Sequence, residues 1–266
     1  MPGKVITITS GKGGVGKTTA TANLGAALAM ADKKVVVLDA DIGLRNLDMM
    51  MGLENRIVYD LVDVVEERCR LRQAMVRDKR LPELYLIPAA QTRDKTAVAP
   101  ADMVRVCDEL RKTHDFIVVD SPAGIERGFQ NAVAAADEVI IVTNPEVAAV
   151  RDADRIVGLL EAEEKGPIYL VINRVKPELV QRGDMLDTDA VVELLAIKLI
   201  GIVPEDEAIL GASNRGQPVV LSNNSRAGLA FRNIAQRLLG NDIPFAPLIK
   251  PGLFQRFINL VRSEGE

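Results

Sequence analysis

The chain is poor in the residues that most often carry chemistry or recognition alone. Of its 266 residues none is Trp, aromatics make up 3%, and there are two cysteines and one histidine. With so few aromatics the core must come from Ala, Val, Ile and Leu, the material of parallel sheets buried on both faces. Cys69 and Cys107 lie far apart and form no CxxC pair. That excludes a sequence-local cysteine metal site and a disulfide-rich secreted scaffold. His114, in Thr-His-Asp-Phe before a strand pattern, reads as a surface turn residue rather than a catalytic base. A charge excess is missing too: 33 Lys+Arg against 37 Asp+Glu leave a net charge of -4, which argues against a dedicated nucleic-acid binder. No run of about 18 apolar residues occurs, and the first residues run straight into a strand pattern. Neither a membrane-crossing helix nor a secretion signal is therefore expected, while peripheral attachment to a membrane stays open. What the chain has is aliphatic bulk: 48% hydrophobic residues, enough for a sizeable core.

Short β-branched runs recur at Lys4–Thr9, Val35–Asp39, Leu84–Pro88, Phe116–Asp120, Val139–Thr143, Ile168–Asn173 and Leu199–Pro204. Helix-period stretches separate them, the clearest at Gly16–Ala31, Ala101–Lys112, Gly128–Ala136, Ala149–Glu164, Thr188–Ala196 and Ala227–Leu239. Alternation at this spacing predicts an α/β fold, a doubly wound and mostly parallel sheet flanked by helices. No composition break divides the body, so one domain is expected over residues 1–241. A Pro-rich linker, 242–252, and a short terminal segment, 253–266, follow.

The first strand runs into Gly11-Lys12-Gly13-Gly14-Val15-Gly16-Lys17-Thr18-Thr19, and a helix pattern begins at once. This is the phosphate loop G-x-x-x-x-G-K-[ST] in its strand–loop–helix context. Its glycines let backbone N–H groups converge on phosphate oxygens, and the helix N-terminus adds partial positive charge. Lys17 is placed to reach the β and γ phosphates, and the Thr18 hydroxyl to sit on Mg²⁺. ATP and Mg²⁺ are the cofactors this implies.

Three carboxylates stand at strand ends, where ligands of doubly wound sheets bind. Asp39 and Asp41 close Val-Val-Val-Leu-Asp-Ala-Asp, and Asp120 closes Phe-Ile-Val-Val-Asp. Asp120 reads as the Walker B residue holding Mg²⁺, Asp39 as support for the metal shell, and Asp41 as the group orienting the attacking water. Gly43–Asp48 reads as one switch loop and Ser121–Ile125 as a second, sensing the γ-phosphate through backbone groups. The intervening Met49-Met50-Met51 reads equally well as core filler.

The loop GKGGVGKTT resembles the deviant Walker A (MinD/ParA) ATPases, a group that includes the nitrogenase iron protein. The resemblance implies that the extra lysine, Lys12, reaches across a dimer interface to the partner subunit's nucleotide, so that ATP holds two subunits face to face. Further segments narrow the likeness to the septum-positioning branch, the MinD proteins: DADIGLRNLDMMMGLENRIVYDLVDV, FIVVDSPAGIERGFQNA, TNPEVAAVRDADRIVGLL and VINRVKPELV. It spans essentially residues 4–240. It implies an ATP-dependent homodimer that binds membrane, recruits a MinC-like division inhibitor, and is released when a MinE-like activator stimulates hydrolysis. Val150–Asp154 match the segment near the partner-binding surface, and Asn173 and Arg174 the adenine-side loop. The Asn173 amide offers a donor and an acceptor to an adenine edge.

Members of this branch end in a membrane-targeting helix, and residues 253–262 fit one. On a helical wheel Leu253, Phe254, Phe257, Ile258, Leu260 and Val261 fill an arc of about 160°, with Gln255, Arg256, Asn259 and Arg262 opposite. Phenylalanines suit the acyl boundary, and Lys250, Arg256 and Arg262 suit an anionic membrane surface. Two such helices in an ATP dimer multiply a marginal affinity. The two acids in Ser263–Glu266 depart from the pattern and weaken that attraction. The expected location is cytoplasmic, reversibly peripheral on the inner membrane, or its plastid equivalent. A ParA-like partition or cargo-positioning ATPase is the alternative; it predicts a basic surface and needs no terminal amphipathic helix. An iron–sulfur carrier would need paired or subunit-bridging cysteines. No specific nucleic-acid partner is expected.

Overall fold

A computed structural model describes residues 2–246. Eight strands form one sheet: β1 (Lys4–Thr9), β2 (Val35–Asp39), β3 (Val76–Arg77), β4 (Leu84–Ile87), β5 (Phe116–Asp120), β6 (Glu138–Thr143), β7 (Ile168–Val175) and β8 (Lys198–Pro204). Their spatial order is β3-β4-β2-β5-β1-β6-β7-β8. All pairs are parallel except β3–β4, so the expected doubly wound sheet is present with one short antiparallel edge strand. Two residues are too short for a hydrophobic alternation to register, which is why β3 was not visible in the sequence.

The helices are α1 (Lys17–Met30), α2 (Leu47–Met51), α3 (Leu61–Val65), α4 (Leu71–Ala74), α5 (Pro100–Leu110), α6 (Arg127–Val133), α7 (Val147–Ala162), α8 (Pro177–Arg182), α9 (Thr188–Leu195), α10 (Ala208–Asn214) and α11 (Arg226–Leu238). Alternate residues of each central strand feed opposite layers. Ile6, Ile8, Val35 and Val37 pack with Leu24, Leu28, Phe231 and Ile234 of α1 and α11. Val5, Val36, Ile117 and Val119 face Leu61, Met103 and Leu110 on the other side, and Val139 and Ile141 face Ile156 and Leu160 of α7. Both faces are thus covered, as an all-aliphatic parallel sheet requires. Helix α1 is buried almost all round, which explains its Ala-rich sequence rather than an amphipathic one.

The Met triplet divides along α2: Met51 is buried in the core, while Met49 is exposed. Among the described residues no helix is long and apolar enough to cross a membrane. The first part of the expected linker is fastened to the domain. Arg237 donates to the carbonyls of Ile243 and Pro244, at 2.8 and 2.9 Å, and its guanidinium lies over the Phe245 ring. The rest of the linker and the amphipathic segment, with Leu253, Phe254, Phe257, Ile258 and Val261, lie outside the described residues.

Candidate functional site

The central strands β1, β2 and β5 end side by side, and the loops that follow them meet at one place. Asp39 and Asp120 are register partners at the ends of β2 and β5, and Ile8 of β1 pairs with Asp120 on its other side. The phosphate loop begins three residues after Ile8, at Gly11. Gly14 and Gly16 have φ of +78° and +102°, conformations an L side chain rarely adopts. Gly11 is required for a different reason: a Cβ there would lie 2.2 Å from the Asp152 carbonyl carbon and oxygen of α7. At its start α1 has no side-chain cap, so its first N–H groups face outward as donors for an anion.

Lys17 is buried at the head of α1, and burial lowers its pKa while the charges of Asp120 and Asp41 pull it back up. Asp120 is 2% exposed. Desolvation raises its pKa, opposed by hydrogen bonding from Thr18 and Thr21 and by Lys17. The Thr21 hydroxyl donates to Asp120 Oδ1 at 3.2 Å. The Asp39 pKa is raised by burial and then by the neighbouring Asp120 charge. Two buried like charges in adjacent strands resist joint ionisation, and an added cation offsets both.

Asp39 lies beside Asp120 at the strand ends, and its carboxylate is held by backbone amides. Its two oxygens accept from the backbone N–H of Asp41, at 3.0 Å, and of Leu47, at 3.4 Å. It is a clasp that closes the loop from Ala40 to Asn46 and so positions Asp41. Among the described residues no three His, Cys, Asp or Glu side chains converge as a metal cage. The donors that fit Mg²⁺ directly are Thr18 and Asp120, hard oxygens at the mouth of the loop, with Asp39 beside Asp120. A hydroxyl, a carboxylate and nucleotide phosphates are the set this ion takes.

The second switch segment touches the phosphate loop and its strand. Ser121 N donates to the Ile8 carbonyl and Gly124 N to the Ser10 carbonyl, at 3.1 and 3.2 Å. The Ser10 hydroxyl in turn holds the Lys12 carbonyl at 2.8 Å. In the first switch Arg45, at φ +38°, pairs with buried Asp48 at 2.6 Å. Lys12 is exposed, and Val15, Thr18 and Thr19 complete the loop around it. Leu44 and Ile125 in the two switch loops and Val147 at the start of α7 are 60%, 51% and 56% exposed.

Asn173 comes to the loop from β7. The register with β8 slips between Ile172 and Val175, Arg174 takes φ +58°, and Asn173 is buried against Gly16. Its Nδ2 donates to the Val15 carbonyl at 2.7 Å, and its Oδ1 is buried without a protein partner. One of the two amide N–H donors is therefore committed to the loop, which leaves the second N–H and the Oδ1 acceptor for a ligand. Sequence reasoning missed Thr21, although it follows Thr18 by three residues on the same helical face. It also missed Ser10 and the Arg45–Asp48 pair, which have no motif.

The family model for the CobQ/CobB/MinD/ParA nucleotide binding domain matches residues 6–219. The septum site-determining protein MinD of Bacillus subtilis is 56% identical over 248 residues, 92% of each chain. A MinC:MinD cell division protein complex from Aquifex aeolicus superposes with TM-score 0.86 and 49% identity, covering 92% of this chain and 99% of that one. The septum site-determining MinD of Pyrococcus horikoshii, solved with Mg-ADP, gives TM-score 0.80 at 28% identity, over 88% and 95% of the two chains.

Proposed function

Because the chain belongs to the MinD/ParA family of nucleotide-binding ATPases, we propose that it is an ATP-driven switch that helps place the division septum. The observation that carries the ATPase reading is the position of Lys17, buried at the uncapped start of α1 within the field of Asp120 and Asp41. Backbone N–H groups of Gly13–Thr19 bind the phosphates, and Lys17 stabilises charge that develops on them. Thr18 and Asp120 would hold Mg²⁺, which would supply neutralisation of the phosphate charge. Asp41, fixed by the Asp39 clasp, orients the attacking water. Asn173 Oδ1 accepts from the adenine side, with Arg174 beside it.

Lys12 completes the site of a partner subunit in an ATP-dependent homodimer. Its exposure and that of the apolar Leu44, Ile125 and Val147 support that reading. The dimer presents two copies of the segment 253–262 to an anionic membrane, so ATP controls residence on the cytoplasmic face of the inner membrane. Exposed Arg151 and Asp154 on α7 offer a surface to a MinC-like inhibitor and a MinE-like activator. The Aquifex complex and the Bacillus relative support a role at the division site.

The test is hydrolysis of Mg-ATP by the full chain and by two variants. Lys17→Ala is expected to lose nucleotide binding. Asp41→Ala is expected to bind ATP and accumulate as an ATP dimer with hydrolysis reduced by about a hundredfold or more. An Asp41→Ala protein that hydrolyses at the wild-type rate removes that residue from the mechanism.

A further inference from the structure

Between the two switch segments lies a cavity of about 10 Å³, room for one water molecule. Both switches line it: Ala40, Asp41 and Ile42 at the root of the first, Pro122 in the second, and Gly128 and Asn131 from α6 just beyond. Asn131 is 4% exposed, and its amide is half satisfied. Nδ2 donates to the Val98 carbonyl at 2.7 Å, while Oδ1 is buried without a protein partner. A buried amide oxygen left that way is costly. The cavity beside it, lined mainly by apolar groups such as Ile42, Leu61 and Met103 but open to Asn131 and Asp41, has room for one ordered water.

The amide also sits on a bonded path between the switches. Asn131 joins α6 to Val98, and earlier in that segment the Ala90 carbonyl accepts from Gly43 N at 2.8 Å. Gly43 follows Asp41 by two residues. Helix α6 is fixed from its other side by the Thr7 hydroxyl, which donates to the Ala132 carbonyl at 2.8 Å. Asn131 and residues 90–98 thus form a hydrogen-bonded path from α6, just beyond the second switch, to the first.

We propose that Asn131 holds one buried water against the root of the first switch and, with its bond to Val98, makes the Asp41 loop and the second switch move together. It is a positioning residue for hydrolysis, remote from the reacting atoms. Its catalytic consequence rests on the ATPase reading above; the coupling of the two segments does not.

The test compares Asn131→Leu, which fills the cavity and removes both polar bonds, with Asn131→Asp, which keeps acceptors and loses the donor. Val98→Ala serves as a packing control, because it enlarges the same cavity and leaves the carbonyl in place. Both Asn131 variants are expected to lower kcat about fivefold or more, with the KM for ATP within about twofold. In nucleotide-free protein they are expected to speed amide exchange at Gly43 about tenfold. Val98→Ala is expected to lower the melting temperature at least as far while keeping kcat and slow Gly43 exchange. If Asn131→Leu does not fold, Asn131→Asp carries the comparison. A folded Asn131 variant with wild-type Gly43 exchange overturns the coupling, whatever the hydrolysis rate. Loss of kcat in Val98→Ala to the same extent overturns the positioning role.

Discussion

Replacing Gly16 by Ala tests how the phosphate loop is held. Gly16 has φ +102° and ψ 26°, where an L side chain costs about 1–2 kcal/mol. The new methyl would also lie 2.3 Å from Asn173 Nδ2, closer than any real contact. Asn173 must then give up its bond to the Val15 carbonyl, leaving a buried acceptor unmade at about 1–3 kcal/mol. The loop escapes both costs by leaving its binding conformation, so nucleotide affinity falls by about 2–5 kcal/mol, roughly 30- to 5,000-fold. Asn173→Ala alone loses the hydrogen bond and removes the obstacle. In that background Gly16→Ala should cost only the backbone part, so the double variant binds more tightly than the sum of the singles predicts. The coupling should be about 1–3 kcal/mol, read from titrations of a fluorescent ATP analogue with the four proteins of the cycle. Strict additivity, or a Gly16→Ala protein with wild-type affinity, would falsify the contact between Asn173 and the loop as the reason for this glycine.

Lys12→Ala should bind ATP with near-normal affinity as a monomer and fail to dimerise, measured by analytical ultracentrifugation; an ATP dimer in this variant removes the cross-subunit role. Arg80 anchors the turn before β4, pairing with buried Asp78 and donating to the Met51 and Gly216 carbonyls. Arg80→Ala should therefore cost about 2–3 kcal/mol in urea unfolding, and a loss near zero contradicts that account. The raised pKa of Asp39 means that its protonated form is favoured in the folded state. Its stabilising contribution is whole below the ordinary value of 3.8 and is lost as the pH rises towards and through the raised value. The nucleotide-free protein should therefore melt lower at about pH 8 than at about pH 5, with a flatter profile in Asp39→Asn. Equal slopes for the two proteins would remove the buried like-charge pair as the cause.

The sheet was legible because its central strands are buried on both faces and so appear as unbroken aliphatic runs. The phosphate loop was legible because its glycines, lysine and threonine are each tied to one task. What the sequence hid depends on pairs of distant residues. Asp39 shares its strand-end position with many metal ligands, and only the loop folded over it shows that its oxygens take backbone amides. Asn173 looks like a base reader, yet one of its donors faces Val15, 158 residues earlier. Short helix α2 was masked by three methionines, which carry no period over so few residues. Residues 242–246 looked like free linker, because the clasp made by Arg237 belongs to a helix whose pattern ends before them.

The central claim is that nucleotide state at the phosphate loop sets membrane residence through the terminal segment. Co-sedimentation with vesicles containing anionic lipid measures it directly, using the full chain and a chain ending at residue 252, each with Mg-ATP or Mg-ADP and with competing DNA. The account predicts pelleting of the full chain with ATP alone, little with ADP, none for the shortened chain, and no displacement by DNA. Pelleting that is equal with ATP and ADP, that survives loss of residues 253–266, or that DNA abolishes would contradict it.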